Sequence, residues 1–217
     1  LPAFFPGQFL TFRLEIPQTQ GPDGKAGIVT RCYSLSDAPQ APAYRVSIKR
    51  EAPPPGSDLP PGKSSNYFHD QVHVGSLLQV RAPSGHFYLA PGRGPVVLIG
   101  GGIGLTPMMC MLNWCASAQP QLVVWLFYGV RHGTELAMLA HLQSFAAQLP
   151  KLQIHLCFSK PEASDLQAPA GEAVHRHAER VTVDLLRRVL PLKPFHYYLC
   201  GPTPMLSSLV PALEDWG

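Results

Sequence analysis

Hydrophobic and polar positions change their period partway along this chain, and the change divides it. Phe9-Leu10-Thr11-Phe12-Arg13-Leu14-Glu15-Ile16 alternates loosely between prolines, the spacing of a half-buried strand. Residues 28–36, 44–50, 77–82 and 86–89 are further strand-like runs, short and separated by turn residues. Together they predict a small antiparallel β-barrel of the Greek-key kind. The stretch 52–63 carries Pro53-Pro54-Pro55-Gly56 and Pro60-Pro61-Gly62 and cannot pair in a sheet. After it, 66–71 predicts a helical turn with Ser64 or Ser65 as N-cap.

From Val96 onward the text reads differently. Val96-Val97-Leu98-Ile99 is a buried strand, 108–118 a helix, 122–128 a strand and 135–148 a second helix with apolar residues at helical spacing. Residues 152–158 and 195–199 are further strands, and 183–190 and 204–213 further helices. Strands alternating with helices predict a parallel sheet with right-handed crossovers. Pro91-Gly92-Arg93-Gly94 is the natural linker. The expectation is two domains, an antiparallel barrel over 1–92 and an α/β nucleotide-binding domain over 93–217.

Composition narrows this picture. The 217 residues are 46% hydrophobic and 14% charged, enough for a real core. A net charge of +3 is too small to argue for nucleic acid or a membrane surface. The segment 94–130 has no formal charge, yet Gly100-Gly101-Gly102, Pro107, Asn113 and Pro120 cut it into strand and helix lengths. A lipid span needs about 20 continuous apolar residues. No basic and apolar leader opens the chain, and Leu1 followed by Pro6-Gly7 reads as an excised piece of something longer.

Five cysteines form no C-x-x-C pair, which points to a reducing compartment and a cytoplasmic location. Cys110 and Cys115 have the spacing that opens an iron–sulfur signature, but no third cysteine follows and both lie in an apolar helical pattern. They read as core. His175-x-His177 is the closest histidine pair, in what reads as a loop with no third ligand, so no metal site is expected.

Three motifs carry the chemistry. A flavin needs an aromatic platform, a polar group near its reactive nitrogen and positive charge for its phosphates. Tyr33, Ser34 and Arg31 of Arg31-Cys32-Tyr33-Ser34 supply these in one strand. Downstream, Tyr44-Arg45-Val46-Ser47-Ile48-Lys49-Arg50-Glu51 precedes Gly62-Lys63-Ser64-Ser65-Asn66-Tyr67-Phe68-His69, where a helix start offers N–H groups to phosphate. The second motif, Gly100-Gly101-Gly102-Ile103-Gly104-Leu105-Thr106-Pro107, follows a strand and precedes a helix, with Thr106 placed as cap and Pro107 at the first helical position. Gly102 and Gly104 would let the backbone approach a pyrophosphate. An ordinary Rossmann fingerprint has glycine where Pro107 stands, and an acid nearer the second strand than Glu135. The third motif, Cys200-Gly201-Pro202-Thr203-Pro204-Met205, follows the last strand and opens on the same sheet edge.

In this order the motifs resemble the ferredoxin–NADP reductase superfamily, and within it the reductase portion of flavohaemoglobins and related iron–sulfur flavoreductases. The resemblance covers nearly the whole chain. It implies that Ser34 sits near the reactive flavin nitrogen, with Tyr33 stacked on the ring and Arg31, Cys32, Gly62, Lys63, Ser64 and Ser65 completing the flavin site. It implies that Thr106, Cys200, Gly201 and Pro202 lie near the nicotinamide with Met205 in the supporting helix, and that Ser34 and Cys200 are the catalytic pair. Ser65-Asn66-Tyr67-Phe68-His69 looks most like flavohaemoglobin reductases, which use FAD rather than FMN. Arg131, Ser159 and Lys160 could meet a 2′-phosphate, which leaves NADH versus NADPH open.

The implied activity is hydride transfer from NAD(P)H to FAD, followed by single-electron transfer to an iron–sulfur or haem acceptor, fused or separate. The family adds one more strand after the last helix, whereas this chain stops at Trp216-Gly217. The competing reading is a non-catalytic flavin-binding redox sensor or electron-transfer subunit. A membrane-anchored oxidase fragment lacks a spanning segment to support it.

Overall fold

A computed structural model describes residues 1–20, 26–39, 42–54, 56–168 and 174–217, without the side chains of 18–20 and 26. Pro55 of the proline-rich loop lies outside the described residues. Strand β1 (Phe9–Gln20) pairs antiparallel with β2 (Ala26–Ser34) on one side and β3 (Gln79–Ser84) on the other. The alternation of β1 does what it predicts: Leu10, Phe12, Leu14 and Ile16 are buried, while Arg13 and Glu15 face water. Helix α1 (Lys63–Asp70) lies against this sheet, and Phe12, Tyr33 and Phe68 meet edge to face in a trio of rings.

The expected strands at 44–50 and 86–89 do not form ladders. Residue 46 makes one bridge to Leu35, Ser36 donates to the Arg45 carbonyl, and Leu89 donates to the carbonyl of Pro6. The first segment spends its end on α1 instead, because the Glu51 carbonyl accepts from Gly62 N and from Asn66 Nδ2. The second leaves the sheet at Gly85, whose φ of +108° turns the chain away from the end of β3.

The rest of the chain builds a parallel sheet from β4 (Val96–Gly101), β5 (Val124–Val130), β6 (Leu152–Phe158), β7 (Val174–His177) and β8 (His196–Cys200), in the order β7-β6-β5-β4-β8. Every residue of β4 is buried, as a strand covered on both faces must be. Val96 and Leu98 point into a core with α2 (Leu105–Ala118) and α3 (Leu139–Gln148), while Val97 and Ile99 point into the opposite core with α4 (Val183–Val189) and α5 (Thr203–Trp216). Cys110 and Cys115 are core residues of α2, and burial pushes both thiols, like that of Cys157, up to about 12. The Cys110 thiol donates to the Asp37 carbonyl, stitching α2 to the antiparallel half. No helix among the described residues is long and apolar enough to cross a membrane.

Three further readings are corrected. The helix expected over 135–148 begins at Leu139, because Met138 adopts φ 57° and the residues before it are held elsewhere, Ala137 N donating to the Tyr128 hydroxyl. Residues 175 and 177 lie not in a loop but in β7, paired with β6. Helix α1 starts at Lys63 after Gly62, so Ser64 and Ser65 fall inside its first turn rather than before it.

Candidate functional site

The sheet order creates the site. The chain runs outward from β4 through β5, β6 and β7, then crosses back to place β8 on the other side of β4. Ligands of open α/β sheets bind at the carboxyl ends of strands where the order reverses. At that point Gly100 lies level with Cys200 on one side and Tyr128 on the other.

Glycine is required there by contact. A Cβ on Gly104 would sit 2.1 Å from the carbonyl oxygen of Cys200, and one on Gly201 would sit 2.4 Å from Met205 Cε. Gly101 likewise leaves room for Met205, whose Sδ would be 2.7 Å from an added Cβ. The glycine turn and the Cys200-Gly201-Pro202 turn are thus pressed together, with Met205 of α5 wedged behind them. Gly102 differs: its φ is +53° and nothing stands within 4 Å of where a Cβ would be. Its open side is the side from which a ligand can reach the backbone.

Thr106 does not cap. A 3-10 turn at Gly102–Gly104 runs straight into α2, so Thr106 is already helical, and its hydroxyl donates back to the Ile103 carbonyl at 3.0 Å. Pro107 therefore sits in the first turn but not at its first position, where its missing N–H costs nothing.

A cavity of about 550 Å³ spans both halves of the molecule. Cys32, Tyr33, Ser34 and Ser65 line it from the antiparallel half, and Gly102, Gly104, Thr106, Cys200, Gly201 and Pro202 from the parallel sheet. The Tyr33 hydroxyl lies 2.8 Å from Ser64 Oγ, which ties the strand to the first turn of α1. Ser65 Oγ donates to the Gly62 carbonyl and accepts from Glu51 N. Gly62 and Lys63 line a smaller neighbouring cavity of about 300 Å³ beside Pro60 and Pro61. Cys200 is half-buried and burial raises its thiol pKa, so it stands here as a neutral thiol.

Nine expected residues lie outside the shared cavity's wall: Gly62 and Lys63 at the neighbouring cavity, Ser64, Pro107 and Met205 packed behind the wall, and Arg31, Arg131, Ser159 and Lys160. Arg31 is exposed and its guanidinium donates to the Thr30 carbonyl. Arg131 is held by Glu135, with Nε 2.7 Å from Oε1, and this ion pair raises the arginine pKa and lowers that of the carboxylate. Ser159 N and Lys160 N donate to the carbonyls of Val130 and Arg131, which brings those two residues beside Arg131 at the ends of β5 and β6. Ser47, Ile48, Lys49 and Glu51 were not among the expected residues, yet they line the cavity. Their signal was the strand-like run 44–50, which stands with Glu51 beside the flavin motif in the sequence but was given no residue role.

The donor set fits the two groups the motifs imply. The volume lies in the range of cofactor sites, about 300–1,000 Å³. A tyrosine ring, hydroxyls and an anion-attracting helix start stand on one wall, and a glycine turn without side-chain cover stands on the other.

Known proteins resemble this chain in sequence and fold. A family model described as an oxidoreductase NAD-binding domain matches residues 98–210. The flavohemoprotein of Halalkalibacterium halodurans is 34% identical over 217 residues, covering 100% of this chain and 50% of that protein. The flavohemoprotein of Chromobacterium violaceum is 35% identical over 219 residues, covering 100% of the chain and 51% of that protein. The chain thus spans about half the length of the curated relatives it matches. Among solved structures, the flavohem-like FAD/NAD binding domain of nitric oxide dioxygenase from Vibrio cholerae O1 biovar El Tor superposes with a TM-score of 0.80 at 30% identity, covering 100% of this chain and 82% of that one.

Proposed function

This chain belongs to the oxidoreductase NAD-binding family and to the ferredoxin–NADP reductase superfamily, near the reductase portions of flavohaemoglobins, and from that premise we propose that it is an NAD(P)H-dependent FAD reductase delivering single electrons to a haem acceptor. The observation that carries the reading is the shared cavity, in which Tyr33 and Ser34 face the glycine turn and Cys200. The reading includes a Greek-key flavin barrel over 1–92 and a nucleotide domain over 93–217. It also includes a cytoplasmic location, supported by five free cysteines.

Bound there, FAD supplies hydride acceptance from NAD(P)H and release of electrons one at a time. The residues of this chain do the rest by position. Tyr33 would pack on the flavin ring, its hydroxyl already held by Ser64. Ser34 would give the ring a hydrogen bond, and the first N–H groups of α1, with Lys63 beside them, would hold phosphate. Gly102 and the start of α2 would take the nucleotide pyrophosphate. Cys200, neutral and at the end of β8, would close the nicotinamide side without competing for protons. The relatives are named flavohemoproteins, which favours haem over an iron–sulfur centre as acceptor, on the same polypeptide or a separate one.

The test is an absorption spectrum of the purified protein before and after anaerobic NADH, then NADPH. A flavin band that bleaches with nucleotide is the expected result. A protein that binds FAD but is not reduced by either nucleotide is the sensor or electron-transfer subunit instead. A protein that stays colourless after incubation with FAD defeats the reading. Ser34→Ala should keep FAD bound and slow its reduction by roughly tenfold to a hundredfold, the worth of one hydrogen bond made in the transition state. An unchanged stopped-flow rate would remove Ser34 from the chemistry.

A further inference from the structure

Two serine hydroxyls stand across from each other on the cavity wall. The antiparallel bridge between Leu35 and Val46 sets Ser34 opposite Ser47 and Ser36 opposite Arg45. Alternation along each segment separates the faces. Leu35 is fully buried with Val46 packed against the same core, so Ser34, Ser36 and Ser47 share the other face. Ser34 and Ser47 line the cavity, whereas Ser36 is off its wall and only 3% exposed.

The direction of the bonds follows from the count of hydrogens. A hydroxyl has one proton to give and two lone pairs with which to receive. Ser36 Oγ donates to the Arg45 carbonyl at 3.3 Å, and a carbonyl can only accept. Ser36 Oγ also lies 3.0 Å from Ser47 Oγ. Both bonds form together in one arrangement alone, in which Ser47 gives its proton to Ser36. Ser47 then has no proton left for the cavity and offers it only lone pairs. The far end of this relay is fixed. Ser36 N donates to the same Arg45 carbonyl at 2.9 Å, the Arg45 guanidinium pairs with Asp37 at 3.1 Å, and the Asp37 carbonyl takes the Cys110 thiol of α2.

We propose that Ser47 is the acceptor for the hydrogen that the flavin ring gains on reduction, kept in that role by Ser36 as a positioning residue. The inference rests on the reading of the cavity as a flavin and nicotinamide site and deepens it. Hydride carries one hydrogen and two electrons from the dihydronicotinamide carbon to the reactive flavin nitrogen. The nucleotide leaves as NAD(P)+, and the flavin nitrogen becomes an N–H. Before transfer that nitrogen is an acceptor and matches the Ser34 hydroxyl. After it the nitrogen is a donor, and the lone pairs of Ser47, opposite Ser34, match it instead. A fixed acceptor therefore favours the reduced ring over the oxidised one, where it has no hydrogen to take. The other hydrogen on the ring edge, the imide N–H, is present in both states and would give no such preference.

The experiment is a midpoint potential of the FAD-loaded protein, measured by anaerobic reduction with dithionite against a reference dye, so that no nucleotide is needed. Ser47→Ala should keep the flavin spectrum and lower the ratio of reduced to oxidised binding roughly threefold to tenfold, the worth of one hydrogen bond. For a two-electron couple that is a potential about 15–30 mV more negative. Ser47→Thr keeps the hydroxyl and should restore the wild-type value. Ser36→Ala frees the Ser47 proton and should move the potential in the same direction by a smaller amount. The double variant should match Ser47→Ala alone, because Ser36 acts only through Ser47. Circular dichroism confirms that the variants fold, and if Ser36→Ala does not, the comparison of Ser47→Ala with Ser47→Thr decides. An unchanged potential in Ser47→Ala, a loss that Ser47→Thr does not restore, or a double variant displaced by the sum of the two singles overturns the inference and leaves the reductase reading standing. A protein that takes up no FAD overturns both.

Discussion

Gly104→Ala should be the most damaging single methyl that can be added to this chain near the cavity. The new carbon would lie 2.1 Å from the Cys200 oxygen and 2.5 Å from its carbonyl carbon, both backbone atoms that no rotamer can move. Relief requires that the glycine turn and the end of β8 part, and overpacking of this kind costs about 3 kcal/mol. For a chain of this length that is a fall in Tm of roughly 6–12 °C. The same displacement opens the floor on which a pyrophosphate would rest, so KM for the nicotinamide nucleotide should rise with it. Gly102→Ala is the control. Its methyl enters open space, and only the left-handed φ of +53° is penalised, at about 1–2 kcal/mol. Thermal unfolding followed by circular dichroism ranks the two. If Gly104→Ala melts at or above Gly102→Ala, the two turns are not in the contact described.

Why those turns were visible in the sequence, and other features not, follows from the forces involved. A strand buried on both faces must be written in apolar residues, so Val96 to Ile99 announced β4, and three glycines after it announced a close approach. The alternation of Phe9 to Ile16 was legible for the same reason, one face of β1 being buried. Strand β7 was hidden because Val-His-Arg-His carries little apolar signal. It is held by backbone pairing to β6 and by imidazole stacking, neither of which leaves a periodic trace. The start of α2 was misread because a 3-10 turn supplied the first helical bonds that a capping side chain would otherwise make. The Arg131–Glu135 pair has helical spacing without a helix, and only the fold of the turn brings its members together.

The same stacked histidines should make stability depend on acid. His155 is 3% exposed, lying flat against Trp125 and Phe127 on one side and against His175 on the other. Its Nδ1 meets His177 Nε2 at 2.9 Å, and its Nε2 is buried without a partner among the described residues. Burial first, and then the neighbouring His175 and His177, push its pKa down to about 3 from an ordinary value near 6.5. Glu179 acts in the other direction on His177, yet burial still leaves that pKa lowered. The unfolded chain therefore binds a proton at His155 that the folded chain refuses. Between about pH 6.5 and about pH 3 stability must fall as pH falls, by up to about 1.4 kcal/mol per unit from this group alone. From pH 7 to pH 4.5 the loss amounts to roughly 2–3 kcal/mol. Surface carboxylate pairs such as Arg50–Asp70 contribute little and contribute equally to any variant. His155→Phe keeps the stacked ring, removes the orphaned nitrogen and has no proton to take up. Urea unfolding at the two pH values should show a loss in the wild type that is smaller in His155→Phe by about that 2–3 kcal/mol. Equal losses in the two proteins would mean that the ladder of rings admits a charged imidazole, and that burial of His155 does not govern the acid limb of stability.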